Sequence, residues 1–153
     1  MSVKKLLISL VICLTIAYAG SAITIPSIMT WYATLHKPFF TPPNYIFGPV
    51  WTLLYLMMAL ALAKVWSSQK KNKQALQSFF GQLGLNFVWS LVFFGLHLPF
   101  IAFTFILLLW AAIFITAKLF LPISRAAAYL LIPYLLWVSY AAILNLAIVI
   151  MNF

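Results

Sequence analysis

Of the chain's 153 residues, 67% are hydrophobic and 6% charged, with a mean hydropathy of +1.15, too little polarity to clothe a soluble domain of this length. There is no aspartate and no glutamate, so the +9 charge comes from eight lysines and Arg125. That absence excludes paired-carboxylate hydrolysis, carboxylate-held Mg²⁺ or Ca²⁺, a Ser-His-Asp triad and carboxylate proton relays.

Apolar runs close to the ~20 residues that cross a bilayer recur at 5–28, 45–66, 76–96, 100–121 and 126–150. They predict an all-α integral membrane protein, a five-transmembrane-helix bundle forming one domain over 1–153. The first run opens like a signal peptide, with Lys4-Lys5, an apolar stretch and a cleavage-like Ala17-Tyr18-Ala19. It continues through Ile28, longer than a typical signal core, which favours a retained helix. Cys13 within it reads as a small buried hydrophobe. Ser21 and Thr24 lie late in this span.

The connection at 29–44 is unlike an ordinary polar loop. The stretch WYATLHKPFFTPPNYIFGPVW (31–51) holds four prolines, a tryptophan at each end, and Lys37. Prolines fix φ and remove donors, so this segment predicts a stiff cover with little entropy to lose on closing. His36 here and His97 later carry no recognisable haem motif, and both read as solvated. In span two, Trp51, Tyr55 and Met58 share a helical face, while Trp66 at the far end reads as an interfacial anchor.

After SSQKKNKQ, span three carries Gln82, Asn86 and Ser90 at i, i+4 and i+8, one polar stripe. Amides do not face lipid unpartnered, so the stripe points inward, either bonding another helix or lining a cavity. Pro99 and Pro122 bracket span four, whose Trp110 reads as packing. In span five, Tyr134, Trp137, Ala141 and Leu144 share a face.

Lys4, Lys5, Lys64, Lys70, Lys71, Lys73, Lys118 and Arg125 fall on the N-terminal side, and Lys37 alone on the other. The asymmetry places the chain in the cell membrane with its N-terminus cytoplasmic, and puts the C-terminus and the 29–44 loop outside. These cations sit at the ends of apolar runs rather than on an aromatic-laced basic face, so no nucleic acid is expected as partner. Helical rise then puts Ser21, Thr24, Trp51, Asn86, Trp89, Ser90, Trp137, Ala141, Leu144 and Asn145 together in the outer half. A cavity for a flat hydrophobic ligand, roofed by the loop, is expected there.

Trp31-Tyr32, Leu35, Lys37-Pro38, Pro42-Pro43, Phe47, Pro49-Val50-Trp51 and Tyr55 together resemble the first-loop signature of the TspO/MBR family. The likeness continues in Gln82, Asn86, Trp89, Phe93-Phe94-Gly95, Pro133-Tyr134, Trp137, Ala141 and Leu144-Asn145. The resemblance implies a five-helix bundle that commonly dimerises and that binds tetrapyrroles such as protoporphyrin IX, a ligand rather than a required cofactor. It adds Tyr32, Pro42, Phe47 and Tyr55 to the binding residues, and implies regulation of tetrapyrrole levels. It also implies that some bacterial members break the bound porphyrin down in light and oxygen, a role that would fall to Trp51 and Trp137. No metal site is expected. Passive transport stays open, since carboxylate coupling is excluded and no inverted repeat is apparent. The stretch 144–150 lacks the tyrosine and arginine of the animal members' proposed sterol motif, so the resemblance does not carry sterol transport over to this chain. Lys37 has two readings, a cation for a ligand carboxylate at the cavity mouth or a solvated loop lysine.

Overall fold

The computed structural model describes residues 1–70 and 72–153; Lys71, assigned above to the N-terminal side, lies outside the described residues. Its elements are α1 (Val3–Ile28), α2 (Asn44–Ser67), α3 (Lys73–Ser90), α4 (Pro99–Phe120), α5 (Arg125–Leu130) and α6 (Ile132–Asn152). They form five spans long and apolar enough to cross a membrane. The helix starts are chemically marked. Ser2, Asn72 and Ser124 each accept a first-turn amide with the side chain, and Pro99 occupies the opening of α4, where its missing N–H goes unneeded.

Two spans depart from simple helices. The fifth is broken at Leu131, between α5 and α6, where Pro133 has no N–H to continue the helical hydrogen-bond ladder. The third ends in a π-helical turn, Leu91–Gly95, which inserts an extra residue per turn. His97 terminates that turn in the left-handed region at φ 58°, and the Leu98 N–H reaches back to the Val92 carbonyl at 3.0 Å.

The spans close into a ring. α1 packs on α2, α2 on α5, α6 on α4, α4 on α3, and α3 with its π turn returns to α1. α2 packs closely on α5 but not on α6. The ring is therefore tight at the lysine-rich end and leaves space between α2 and α6 at the loop end.

Packing at the tight end rests on small and flat groups, as expected where lipid supplies no hydrophobic drive between helices. Ala59, Ala61 and Ala63 are fully buried, and Phe79 stacks on Phe120 with centroids 6.0 Å apart. The Ser78 and Thr116 hydroxyls meet at 2.7 Å, tying α3 to α4. Lys5 donates to the Trp66 carbonyl at 2.8 Å and lies 5.8 Å from its indole centroid, so that tryptophan is gripped at the end of α2. Large apolar side chains such as Leu53, Phe100, Leu136 and Ile143 face outward, the surface a lipid-embedded bundle presents.

Candidate functional site

The space at the loop end is a cavity of about 340 Å³, within the range of small-molecule sites. Its walls come from α1, α2, the top of α3 with the π turn, and α6; α4 contributes nothing. The connection between α1 and α2 closes the top, with Tyr32 from a short 3₁₀ turn (Tyr32–Thr34) projecting down into it.

That connection is fastened, not free. The Asn152 side chain accepts from the His36 N–H at 2.9 Å and donates to the His36 carbonyl at 2.8 Å, joining the loop to the end of α6. The Tyr140 hydroxyl donates to the Phe40 carbonyl. On the opposite side Trp31 stacks on His97, centroids 4.5 Å apart and planes 12° from parallel. Both histidines are exposed and neither lines the cavity. Among the described residues no cluster of metal-ligating side chains occurs.

Of the residues singled out from sequence, Ser21, Thr24, Tyr32, Phe47, Trp51, Tyr55, Asn86, Trp89, Ser90, Trp137, Ala141 and Leu144 are brought together on the cavity lining. Pro42 and Lys37 are not. Pro42 stays in the loop above, after the Pro38–Thr41 turn. The Lys37 ammonium donates to the Tyr32 carbonyl at 2.8 Å and the Leu35 carbonyl at 3.1 Å, and sits 4.7 Å from the Tyr32 ring centroid. Partial burial lowers its pKa. It braces the 3₁₀ turn that holds Tyr32.

The polar groups divide into braces and open valences. Asn86 donates to the Tyr134 hydroxyl at 2.6 Å while also lining the cavity floor, so both readings of the stripe hold for it. Gln82 lies deeper, off the lining, with Nε2 only 3.9 Å from Met58 Sδ and Oε1 without a partner. The Trp89 indole donates to Asn145 Oδ1 at 3.0 Å, and Asn145 donates to the Pro99 carbonyl at 2.8 Å, which fixes that ring. Among the described residues, no protein acceptor meets the indole N–H of Trp51 or Trp137, whereas those of Trp89 and Trp110 are paired. The Tyr32 hydroxyl, though its ring is 2% exposed, has no partner either. Burial, and secondarily Tyr140, pushes that phenol up to about 12, so it remains a donor at neutral pH.

The lining rings form a connected series. Trp51 lies 6.5 Å from Trp89 and Trp89 5.6 Å from Phe93, while Tyr32 lies 6.4 Å from both Phe93 and Phe47, and Phe47 6.3 Å from Trp137. Such a surface offers broad π faces and few competing polar groups. It suits a flat apolar guest and has no acid–base pair for hydrolysis.

Sequence reasoning missed part of the wall. Ile25 follows Ser21 and Ile148 follows Leu144 by four residues, and Thr52 precedes Tyr55 by three, so an extended face count would have reached them. Phe93 and Phe94 also line the cavity, from within the π turn, a feature that α-helical spacing does not reveal. Trp110, read as packing, is more than one-third exposed and donates to Ser139 Oγ at 2.7 Å.

Comparison with known proteins agrees with this architecture. The model of the TspO/MBR family matches residues 9–151. The chain is 44% identical over 153 residues to the tryptophan-rich protein TspO of Archaeoglobus fulgidus, covering 99% of each chain. It is 42% identical to the protein of that name from Chlorobaculum tepidum, over 92% of this chain and 91% of the relative. The human translocator protein is 35% identical over 84% of this chain and 78% of its own.

Proposed function

The chain belongs to the TspO/MBR family, and from that premise we propose that it is a membrane receptor, carrier-like in build, for tetrapyrroles such as protoporphyrin IX and other flat hydrophobic ligands. The ligand occupies the cavity under the first loop, and its capture contributes to regulating tetrapyrrole levels. One observation carries this reading. Trp51 and Trp137 line the cavity from two helices, and among the described residues no protein acceptor meets their indole N–H groups, while Trp89 beside Trp51 is locked by Asn145. Two free donors and their ring faces are what a planar, weakly polar guest needs.

The orientation belongs to the same proposal. With the lysine-rich end in the cytoplasm, the loop and cavity lie in the outer half of the cell membrane. A homodimer is proposed as the working unit, its contact face being one of the apolar helix surfaces. The ligand-binding roles of the lining residues named above rest on their position in the cavity.

Thermal stabilisation tests the reading. Protoporphyrin IX at about a hundred times its Kd stabilises a folded binder by ~2.7 kcal/mol, so a dark melt should shift upward with porphyrin. A linear alkyl compound of similar apolar area should leave it unchanged. Equal shifts for both would reduce the cavity to a general hydrophobic crevice.

The same two indoles favour a second reading, light- and oxygen-dependent breakdown of the bound porphyrin. A photosensitiser held there lies against two oxidisable rings. Illumination of the loaded protein, with Trp51→Phe and Trp137→Phe as comparisons, separates it from binding alone. Loss of the porphyrin band at the wild-type rate in both variants removes the breakdown role and leaves the receptor reading standing.

A further inference from the structure

We infer that the cavity exchanges its ligand sideways with the bilayer, through a mouth between α1 and α2, and not upward through the loop. This rests on the reading that the cavity holds a flat hydrophobe, and it adds the route and the phase from which that ligand comes.

The exposure of the lining residues is one-sided. Ser21 and Ile25 on α1, and Asn44, Tyr45, Gly48 and Thr52 on α2, are exposed. Every lining residue from α3, the π turn, α6 and the loop is buried or half-buried. The cavity therefore has a closed back wall and an open front, and the front is framed by two neighbouring helices.

The open residues lie at matching depth. Ser21 is seven residues below the end of α1 and Thr52 eight residues below the start of α2, which at ~1.5 Å per residue is about 10 and about 12 Å down. Both are inside the membrane-spanning segments, so the lower part of the mouth faces lipid, while Asn44 and Tyr45 at the start of α2 form its upper edge. Its rim suits that phase. It carries no charged group, and the Thr52 hydroxyl is already satisfied by the Gly48 carbonyl at 2.8 Å. An apolar guest passing this rim stays in a low-dielectric medium, whereas passage through the top would expose it to water.

The roof, in contrast, is fastened on both sides away from the mouth. Asn152 and Tyr140 join it to α6, and the Trp31–His97 stack joins it to the turn before α4. Lifting it breaks at least three hydrogen bonds and a ring stack. Passage between α1 and α2 breaks none of these.

Gly48 makes the route testable. A Cβ added there meets nothing within 4 Å, so the position accepts a side chain without disturbing the helix packing. A phenylalanine at that point stands in the mouth.

The experiment follows protoporphyrin IX fluorescence in proteoliposomes of the full chain, in the dark, as bound porphyrin redistributes to excess empty vesicles. Gly48→Phe is expected to slow both association and dissociation at least tenfold. Asn152→Ala, which releases the roof from α6, is expected to change them less than twofold. Ser21→Phe, from the α1 side of the mouth, repeats the test should Gly48→Phe fail to fold. Wild-type rates in the phenylalanine variants, together with faster exchange in Asn152→Ala, would overturn the lateral route while leaving binding intact. Absence of any saturable porphyrin signal in the wild type would instead overturn the binding reading, and the route with it.

Discussion

The side chain of Asn152 grips both peptide groups of His36, accepting from its N–H at 2.9 Å and donating to its carbonyl at 2.8 Å. A further bond from the same amide to the Ile148 carbonyl, at 2.8 Å, seats this grip on the last turn of α6. Loop and helix are thus one mechanical unit, and the helix concerned also supplies Trp137, Leu144 and Ile148 to the cavity.

Replacing Asn152 with alanine should therefore loosen the loop without unfolding the bundle. Exposed hydrogen bonds of this kind contribute about 1 kcal/mol net. Amide exchange at 33–41 should speed roughly fivefold, while exchange within α2 and α4 stays at the wild-type rate. Unchanged exchange in the loop would mean that the contacts with Tyr140 and His97 hold it alone.

His97 combines an unusual backbone with a structural ring, since its φ is 58° and its imidazole stacks on Trp31. Glycine accepts that backbone freely, whereas alanine pays ~1–2 kcal/mol for left-handed geometry. His97→Gly loses the stack but relieves the left-handed strain that the native residue already bears, whereas His97→Ala loses the stack and keeps that strain. Chemical denaturation in detergent should rank alanine as the less stable variant by about 1 kcal/mol. The reverse order would show that the turn relaxes when the ring is removed.

Asn145 has two buried dependants, the Trp89 indole N–H and the Pro99 carbonyl. Leucine fills similar volume and leaves both unpaired, so Asn145→Leu should destabilise the fold by ~1–3 kcal/mol. Differential scanning fluorimetry reads this directly. The variant should also bind porphyrin more weakly, because Trp89 forms part of the wall and loses its orientation. A melting point equal to wild type would show that water replaces the missing amide.

Lys37 is bonded to two carbonyls of its own turn and lies off the cavity. Lys37→Ala should weaken protoporphyrin IX and its dimethyl ester by the same factor, through the displacement of Tyr32. Parallel titrations of the two ligands decide the point. A loss confined to the dicarboxylic form would return Lys37 to the ligand as a carboxylate partner.

The sequence was most readable where one helix face had a single task. The spacing of Trp51 with Tyr55, of Asn86 with Ser90, and of Trp137 with Ala141 and Leu144 fixed their common side before any coordinates. Depth followed from counting rise along spans of known direction. Interactions between segments far apart in the chain were not readable in this way. Nothing local pairs His36 with Asn152, 116 residues on. Lys37 looked free because a loop lysine's partners are carbonyls, which every residue carries. The Leu131 break was signalled by Pro133, yet the apolar run continues through it and hides the interruption. The π turn that carries Phe93 and Phe94 to the lining is likewise not signalled by residue spacing.

The central claim is that Trp51 and Trp137 flank a bound planar guest. An equilibrium titration of the wild type with protoporphyrin IX in the dark, read by tryptophan emission, tests it most directly. Saturable quenching at one porphyrin per chain, with affinity reduced about tenfold in both Trp51→Ala and Trp137→Ala, is the predicted result. Quenching that rises linearly without saturation, and equally in all three proteins, would mean that the porphyrin merely partitions into the surrounding lipid.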